Sequence, residues 1–325
     1  MRPQPWTPGL PKATESMGIS RELIVDTLRS RVLRGLQGGT LVAGERLPTS
    51  RELAAEFDVD YRLVIAAYKT LAAEGLVELR PRGGIYVADA GGPGHGVPPL
   101  PEAWLADVLT EGIAREIPGP ELHEWLRRSV ETLRLRAVTV TTTLDQGYGL
   151  CRELREDFGL EAEALLEEEL RGTAESPLSL RRADLLVSTE AHAERVRALA
   201  TELRKTAIVV QVRPELAGGE WALLLRRPVY AVVASEQFGE MLRRFFDGVP
   251  GVGNLRILVL GRDDLQQIPA GAPTYVTQRV RAELGDLRIP GRILPAARTI
   301  AAESAREIFT FIVRANVEAM SRTAR

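Results

Sequence analysis

The segment 41–88 carries the pattern that most constrains how this chain can fold. Thr49 and Glu52 have the spacing of a capping box, in which each side chain accepts a hydrogen bond from the backbone amide of the other. A short helix is therefore predicted to begin at Ser50. The polar turn at 58–60 then separates this helix from a second one.

The second helix and the residues after it complete a recognisable arrangement. Asp60 is a good N-cap residue, and the helix is predicted to run from there to about Glu74. One helical face holds the apolar residues Val64, Ala67, Tyr68 and Leu71, and the opposite face holds Tyr61, Arg62, Ile65, Ala66 and Lys69. Two strands, at 76–79 and 85–87, are joined by the basic, glycine-containing turn 80–84. Helix, turn, helix and basic hairpin together predict a winged helix-turn-helix that binds DNA.

The same segment contains, in order, the stretches GERLPTSRELA, AAYKTLAAEGLVE and RGGIYV. In residue type and spacing it resembles the GntR family of bacterial transcription regulators over about residues 20–89. The resemblance implies that Arg51, Tyr61 and Arg62 contact bases or phosphates and that the wing tip enters the minor groove. The candidate DNA-binding residues are Thr49, Arg51, Tyr61, Arg62, Lys69, Arg80, Arg82 and Gly83.

The start of the second helix departs from the family pattern. The family usually has Ser-Arg-x-Thr there, whereas this chain reads Asp60-Tyr61-Arg62-Leu63. The missing threonine removes a phosphate contact, and an aspartate near DNA is repulsive, so the operator sequence does not follow from the resemblance. The alternative is a winged helix that is used only for protein contacts.

Charge and cysteine content narrow the function classes further. The formal net charge of −2 argues against a nonspecific nucleic-acid coat, but arginines gathered on one face would still bind DNA. The single cysteine, Cys151, excludes an intrachain disulfide framework. No secretion signal and no apolar run of membrane-spanning length is recognisable, so we expect a cytoplasmic protein without membrane contact.

Composition also predicts the domain boundaries. We expect a disordered arm at 1–18, a winged domain at 19–89 that opens with a helix at 20–36, a glycine- and proline-rich linker at 90–100, and a helical connector with an α/β domain at 101–325.

Two amphipathic helices are predicted after the linker, at 104–116 and 121–136. Their apolar faces are wide and contain Trp104, Leu105, Val108, Leu109 and Ile113, then Leu122, Trp125, Leu126, Val130 and Leu133. Such faces would pair two subunits into a homodimer, as a winged domain that contacts a short half-site requires. The alternative is that they pack on the chain's own second domain.

From Ala137 onward, short β-rich runs alternate with helical ones. Strands are predicted at 137–143, 184–189, 207–212, 229–234, 256–260 and 274–277, and a long helix at 300–320. This alternation predicts parallel sheets covered by helices. We expect two α/β lobes, joined near 214–221, with a cleft between them. The architecture is similar to that of effector domains of the periplasmic-binding-protein type.

Polar residues follow several of these strands, where ligands bind in open α/β sheets. The candidate effector-binding residues are Thr142, Asp145, Ser188, Thr189, His192 and Ser235. Asp145 would hold an amine or hydroxyl, and His192 an anion or hydroxyl. The alternative for Ser188, Thr189 and Ser235 is that each is an ordinary helix N-cap.

The residues that enzyme chemistry would need are missing. A pyridoxal phosphate domain needs a lysine, and the only one after the linker is Lys205. Neither GxSxG nor GxxxxGK[ST] occurs, and His123 and His192 are far apart in sequence, so we expect no catalysis, cofactor or metal. The predicted fold is α/β with an N-terminal winged helix-turn-helix and a two-lobed parallel-sheet effector domain. The predicted function is an effector-modulated, dimeric transcription regulator, or else a regulator whose C-terminal domain binds no ligand and serves dimerisation or protein interaction.

Overall fold

The computed structural model describes residues 19–88, 102–170, 177–285 and 288–323. The predicted arm at 1–18 and the linker at 90–100 lie outside these residues. The described chain forms two compact units. Unit A, as we call it, contains 102–213 and 298–323, and unit B contains 19–88 and 214–297. Within the described residues, no helix combines the length and apolarity needed to cross a bilayer.

The N-terminal part of unit B is the predicted winged domain. Its elements are α1 (Arg21–Gln37), β1 (Arg46–Leu47), α2 (Ser50–Phe57), α3 (Tyr61–Ala73), β2 (Val77–Arg80) and β3 (Gly84–Val87). The strands form an antiparallel sheet in the order β1-β3-β2, in which β1 is an addition to the prediction. Helix α3 buries Val64, Ala67, Tyr68 and Leu71, as predicted.

The rest of the chain alternates helices and strands. Before residue 213 the elements are α4 (Glu102–Ile113), α5 (Gly119–Glu131), β4 (Arg136–Thr141), α6 (Leu144–Glu156), β5 (Glu161–Leu166), α7 (Leu178–Arg182), β6 (Leu185–Thr189), α8 (Ala193–Leu203) and β7 (Thr206–Val210). After it come α9 (Glu215–Gly218), α10 (Glu220–Leu224), β8 (Val229–Val233), α11 (Glu236–Phe245), β9 (Leu255–Val259), β10 (Pro273–Val276), α12 (Gln278–Glu283), β11 (Arg292–Ile293) and α13 (Ala302–Thr323). Single-turn 3₁₀ helices lie at 167–169, 190–192, 252–254 and 265–267.

The predicted parallel sheets are confirmed. Unit A has the strand order β5-β4-β6-β7 and unit B the order β11-β10-β8-β9, with every neighbouring pair parallel. Helix α13 belongs to unit A, where its Ile308 and Ile312 pack in one apolar cluster with Leu154 and Val187. The chain therefore leaves unit A to build the second sheet and then returns to close the core of the first.

The second sheet of unit B packs against the winged domain. A single apolar core contains Ile24, Phe57 and Leu71 of the winged domain together with Trp221 and Phe246. The rings of Trp221 and Phe246 are 4.7 Å apart between centroids. This part of unit B, residues 214–297, is called the docked lobe below. Because its core is continuous with that of the winged domain, the two are held together by apolar burial.

Candidate nucleic-acid interface

The capping box fixes the start of α2. The hydroxyl of Thr49 accepts a hydrogen bond from the Glu52 amide at 3.2 Å, and the Glu52 carboxylate accepts one from the Thr49 amide at 2.6 Å. The hydrogen bond from the Thr49 backbone lowers the pKa of Glu52. The carboxylate therefore remains charged at the positive end of the helix. Arg51, which lies between these two residues, is solvent-exposed in the first turn of α2.

Helix α3 presents a polar face to solvent. Asp60 accepts a hydrogen bond from the Arg62 amide at 2.8 Å, so its carboxylate caps the helix. Tyr61 is 45% exposed, and Arg62 and Lys69 are exposed as well. On the inner side, the Tyr68 hydroxyl donates to a backbone carbonyl 20 residues earlier, at 2.7 Å. That bond fixes α3 against the segment before α2, so Arg51 and Arg62 are carried by rigidly packed helices.

The wing between β2 and β3 is a tight turn. The Gly83 amide donates to the carbonyl of Arg80 at 2.9 Å, and Arg82 has a φ of +59°. A positive φ is strained for a residue with a side chain, by roughly 1–3 kcal/mol, and such strain concentrates at functional positions. The Arg80 guanidinium lies 2.8 Å from the Glu78 carboxylate and 4.1 Å from the centre of the Tyr86 ring. Part of its charge is therefore satisfied within the wing, whereas Arg82 is exposed at the tip.

Two of the predicted effector residues meet at the carboxyl edge of the sheet in unit A. The Thr142 hydroxyl lies 2.9 Å from Nε2 of His192, and Nδ1 of His192 lies 3.0 Å from the Glu167 carboxylate. His192 is only 5% exposed. The imidazole is thus held from both sides by polar groups.

Other polar atoms at this edge are buried. The Ser188 hydroxyl and the side-chain oxygen of Gln146 have no hydrogen-bond partner among the described residues. Asp145 is 2% exposed and Thr189 is half-buried. The unpartnered oxygens of Ser188 and Gln146 are costly unless a ligand or water satisfies them.

Ser235 differs from the other candidate effector residues. It lies in unit B, and its hydroxyl caps α11 by accepting from the Phe238 amide at 3.3 Å. It thus performs the structural role that the sequence left open as an alternative.

In unit A, a cleft of about 370 Å³ lies at the amino ends of β4 and β5, the edge opposite Thr142.

Comparison with known proteins assigns the winged domain to a family. The model of the family described as bacterial regulatory proteins, gntR family, matches residues 23–87. These residues are a GntR-family winged helix-turn-helix domain. They include both helices of the exposed face and the whole wing.

A similar stretch occurs in a regulator from Mycobacterium tuberculosis (strain ATCC 25618 / H37Rv), the HTH-type transcriptional regulator Rv1152. Identity is 38% over 65 residues, which are 20% of this chain. The chain matches about half of that relative's length, 54%. The similarity therefore concerns the GntR domain.

Solved structures of similar proteins were also found. YtrA from Sulfolobus acidocaldarius, a GntR-family transcription factor, is 24% identical over 37% of this chain and 94% of its own, with a TM-score of 0.23. A transcriptional antiterminator from Listeria monocytogenes EGD-e is 21% identical over 35% of this chain and 84% of its own, also with a TM-score of 0.23.

An ion-pair cluster that the sequence analysis missed lies where the GntR domain meets the docked lobe. Its members are Arg31, Arg34, Glu56, Glu220 and Arg292. The Arg31 guanidinium lies 2.5 Å from Glu220 and 2.8 Å from Glu56, and Arg34 lies 2.5 Å from Glu220. Arg292 contacts the other oxygen of Glu56. The cluster therefore joins α1 and α2 of the GntR domain to the docked lobe.

Electrostatics keep this cluster ionised. Burial lowers the pKa of Arg31, but the carboxylates of Glu56 and Glu220 outweigh it and hold that pKa above its ordinary value. For Glu220 the effects have the opposite signs: burial raises its pKa, and the guanidiniums of Arg31 and Arg34 lower it. The guanidiniums have the larger effect, so the pKa of Glu220 lies below its ordinary value. The sequence did carry a signal, because Arg31 stands on the inward face of α1, between the buried Leu28 and Val32.

The docked lobe reaches the edge of the predicted DNA-binding face. The Arg227 guanidinium lies 2.6 Å from the carboxylate of Asp58, in the turn between α2 and α3, and this hydrogen bond lowers the pKa of Asp58. Arg227 lines one surface hollow together with Arg51 and Tyr61. The environment of the predicted DNA-binding face therefore includes a side chain from the docked lobe.

Proposed function

We propose that the protein is a transcription regulator that binds double-stranded DNA through α3 and the wing. The observation that carries the proposal is the exposed face on which Arg51, Tyr61, Arg62 and Lys69 lie on two packed helices. A helix of this kind enters the major groove, where arginine reads guanine and lysine contacts phosphate. Arg82 at the wing tip would contact the adjacent backbone.

The proposal is tested by selecting duplexes from a random library with the full chain and measuring affinity by fluorescence anisotropy. A selected duplex should bind with a Kd of about 10⁻⁸ to 10⁻¹¹ M at physiological salt, at least about 10³-fold more tightly than a scrambled duplex. Failure to enrich any sequence would instead favour a winged helix that serves protein contacts.

The wing should contribute affinity without sequence preference. Arg82→Ala is expected to weaken the selected and the scrambled duplex by the same factor, because a phosphate contact carries no sequence information. The slope of log K against log salt should fall in magnitude by about 1. Anisotropy titrations at several salt concentrations measure both quantities. A loss confined to the selected duplex would show that Arg82 reads bases.

We further propose that the protein is a homodimer that pairs through unit A. Helices α4, α5 and α13 expose large apolar side chains, each 37–58% accessible: Trp104, Leu105, Leu109, Ile113, Trp125, Leu126, Val130, Phe309, Val313 and Val317. Helix α5 is a neighbour of both α4 and α13, and this many exposed large apolar side chains on neighbouring helices marks an interaction site. A second copy is the occupant that fits, because one GntR domain contacts a short half-site and specific binding needs two about 34–36 Å apart.

Charge placed in this surface should separate the subunits. Leu109→Arg combined with Trp125→Arg is expected to convert a dimer into a monomer, because the interface would bury unpaired guanidiniums. Light scattering at micromolar concentration measures the mass. Asp107→Arg, an exposed position of α4, is the matched control and should leave the dimer intact. A monomeric parent that also stays monomeric on DNA would refute the proposal.

An effector site at the carboxyl edge of the sheet in unit A is the third part of the proposal. The buried and unpartnered hydroxyl of Ser188, which lies in β6, the strand that leads to His192, supports a small polar ligand there. The ligand would shift operator affinity by its preference for one conformation, typically 1–3 kcal/mol. The alternative is a domain that binds no ligand and serves only dimerisation or protein interaction.

Single alanine replacements of Asp145, Thr189 and His192 distinguish these alternatives. Each should abolish the response of operator binding to a small molecule that co-purifies with the protein. DNA affinity without ligand should stay within about threefold, or about 0.6 kcal/mol. Mass spectrometry of the purified protein identifies the ligand, and thermal shift confirms its binding. Three variants that keep the full response would place the site elsewhere.

A further inference from the structure

We infer that unit B binds an organic carboxylate in a cleft between the GntR domain and the docked lobe. The cleft has a volume of about 1040 Å³, which suits a small-molecule site. One wall comes from α1, β1 and α2, and the other from the segments 227–228, 269–273 and 292–295, which include β11 and the start of β10. Every residue that lines this junction cleft belongs to unit B.

The junction cleft is lined by four guanidiniums, those of Arg31, Arg46, Arg227 and Arg292. Its three carboxylates already accept hydrogen bonds or ion pairs from the protein: Glu45 from the Val42 amide at 2.9 Å, Glu52 from the Thr49 amide at 2.6 Å, and Glu56 from Arg31 and Arg292. Three of the four guanidiniums are also paired, Arg31 and Arg292 with Glu56 and Arg227 with Asp58. The four arginines and three glutamates of the lining leave a formal charge of +1, which favours an anion.

Arg31 supplies the strongest indication of an anionic ligand. The residue is 6% exposed and lines the junction cleft, and its Nη1 has no hydrogen-bond partner among the described residues. Nε of the same guanidinium donates to Glu220, and Nη2 forms an ion pair with Glu56 without a hydrogen bond. A buried donor without an acceptor destabilises the protein. A ligand carboxylate would satisfy it, because carboxylates pair strongly with guanidiniums.

The rest of the lining indicates what kind of carboxylate the junction cleft would bind. Apolar side chains predominate away from the charges, among them Leu28, Val32, Leu41, Pro228, Ile293 and Pro295. Ligand sites combine such surfaces with a few polar groups that orient the ligand. A monocarboxylate with an aliphatic or aromatic body matches both parts, whereas a phosphate or sugar would leave the apolar wall unused.

The test measures binding to the full chain by isothermal titration calorimetry without DNA, so that it can succeed or fail independently of the proposed function. The probes are octanoate and benzoate, with octanamide and benzamide as neutral controls. At least one carboxylate should bind at one per chain, and its amide about tenfold or more weakly. Arg46→Gln should weaken the carboxylate about tenfold or more without removing a member of the ion-pair cluster. Ala270→Trp, at the exposed rim, should block binding sterically.

Arg256→Gln is the matched control, since Arg256 is exposed on β9 of the same lobe and lies outside the junction cleft. It should bind the carboxylate within about twofold of the parent. Absence of binding by either carboxylate at millimolar concentration would overturn the inference. Equal binding by acid and amide, or unchanged binding in both Arg46→Gln and Ala270→Trp, would do the same. Melting temperatures of all variants confirm that each is folded.

Discussion

Replacing Glu220 with glutamine is expected to lower the free energy of unfolding of unit B by about 3–5 kcal/mol. The substitution keeps the shape of the side chain but removes the charge that faces Arg31 and Arg34. Two guanidiniums would then be buried against a neutral amide, and the docked lobe would lose the ionic contacts that Glu220 makes with α1 of the GntR domain. Urea denaturation followed by the fluorescence of the adjacent, buried Trp221 measures the loss.

The matched control is Glu240→Gln on the exposed surface of α11. Its side chain is 61% exposed, so this substitution should change the free energy of unfolding by less than about 0.5 kcal/mol.

The dependence of stability on acid pH offers a second test. The folded-state pKa of Glu220 is lowered, so its contribution is fully present above the unfolded value of about 4.3 and is lost as the pH falls through the folded value. Parent and Glu220→Gln should therefore converge in stability at acid pH. A difference of less than 1 kcal/mol at pH 7 would contradict the assigned role.

Alanine at Arg51 or Arg62 is expected to weaken binding to the selected duplex by about 1–3 kcal/mol, or 5–150-fold, for each arginine. Both side chains are exposed on helices whose inner faces are fixed by packing, so truncation removes DNA contacts and leaves the fold intact. Affinity for the scrambled duplex should fall by a smaller factor, because base contacts are made only in the specific complex. Anisotropy titration at constant salt gives the ratio of the dissociation constants of variant and parent for each duplex.

Arg244→Ala provides a comparison for both variants. Its side chain is 71% exposed on α11, remote in sequence from α2 and α3, and its removal should leave affinity for the selected duplex unchanged. Melting temperatures should match across the three variants. If Arg51→Ala and Arg62→Ala bind as tightly as the parent at equal salt, α3 does not dock as proposed.

The sequence predicted those parts of the fold that depend on neighbouring residues. The capping box at Thr49 and Glu52 and the N-cap at Asp60 are short-range contacts, and both are confirmed. The buried face of α3 follows from helical periodicity. The apolar strand runs, such as 229–234, are long and β-branched enough to be recognised.

The features that were missed depend on distant partners. Strand β5 reads EAEALL, a run of helix-forming residues, and it is a strand because it pairs with β4 along its whole length. Docking of residues 214–297 on the GntR domain relies on contacts such as Arg31 with Glu220, 189 residues apart, which local patterning does not reveal. The predicted crevice shared by Ser235 and His192 stays a prediction.

The return of the chain to unit A has a consequence for synthesis on the ribosome. Sheet β5-β4-β6-β7 is complete once β7 has emerged, yet its apolar side against Ile308 and Ile312 stays uncovered until α13 is translated. The docked lobe must be made in between, at about 5–20 residues per second. A nascent chain therefore carries an open apolar sheet for several seconds. Chaperone engagement and premature association of neighbouring polysomal chains should be concentrated in that interval, and codon usage across 214–297 would set its length.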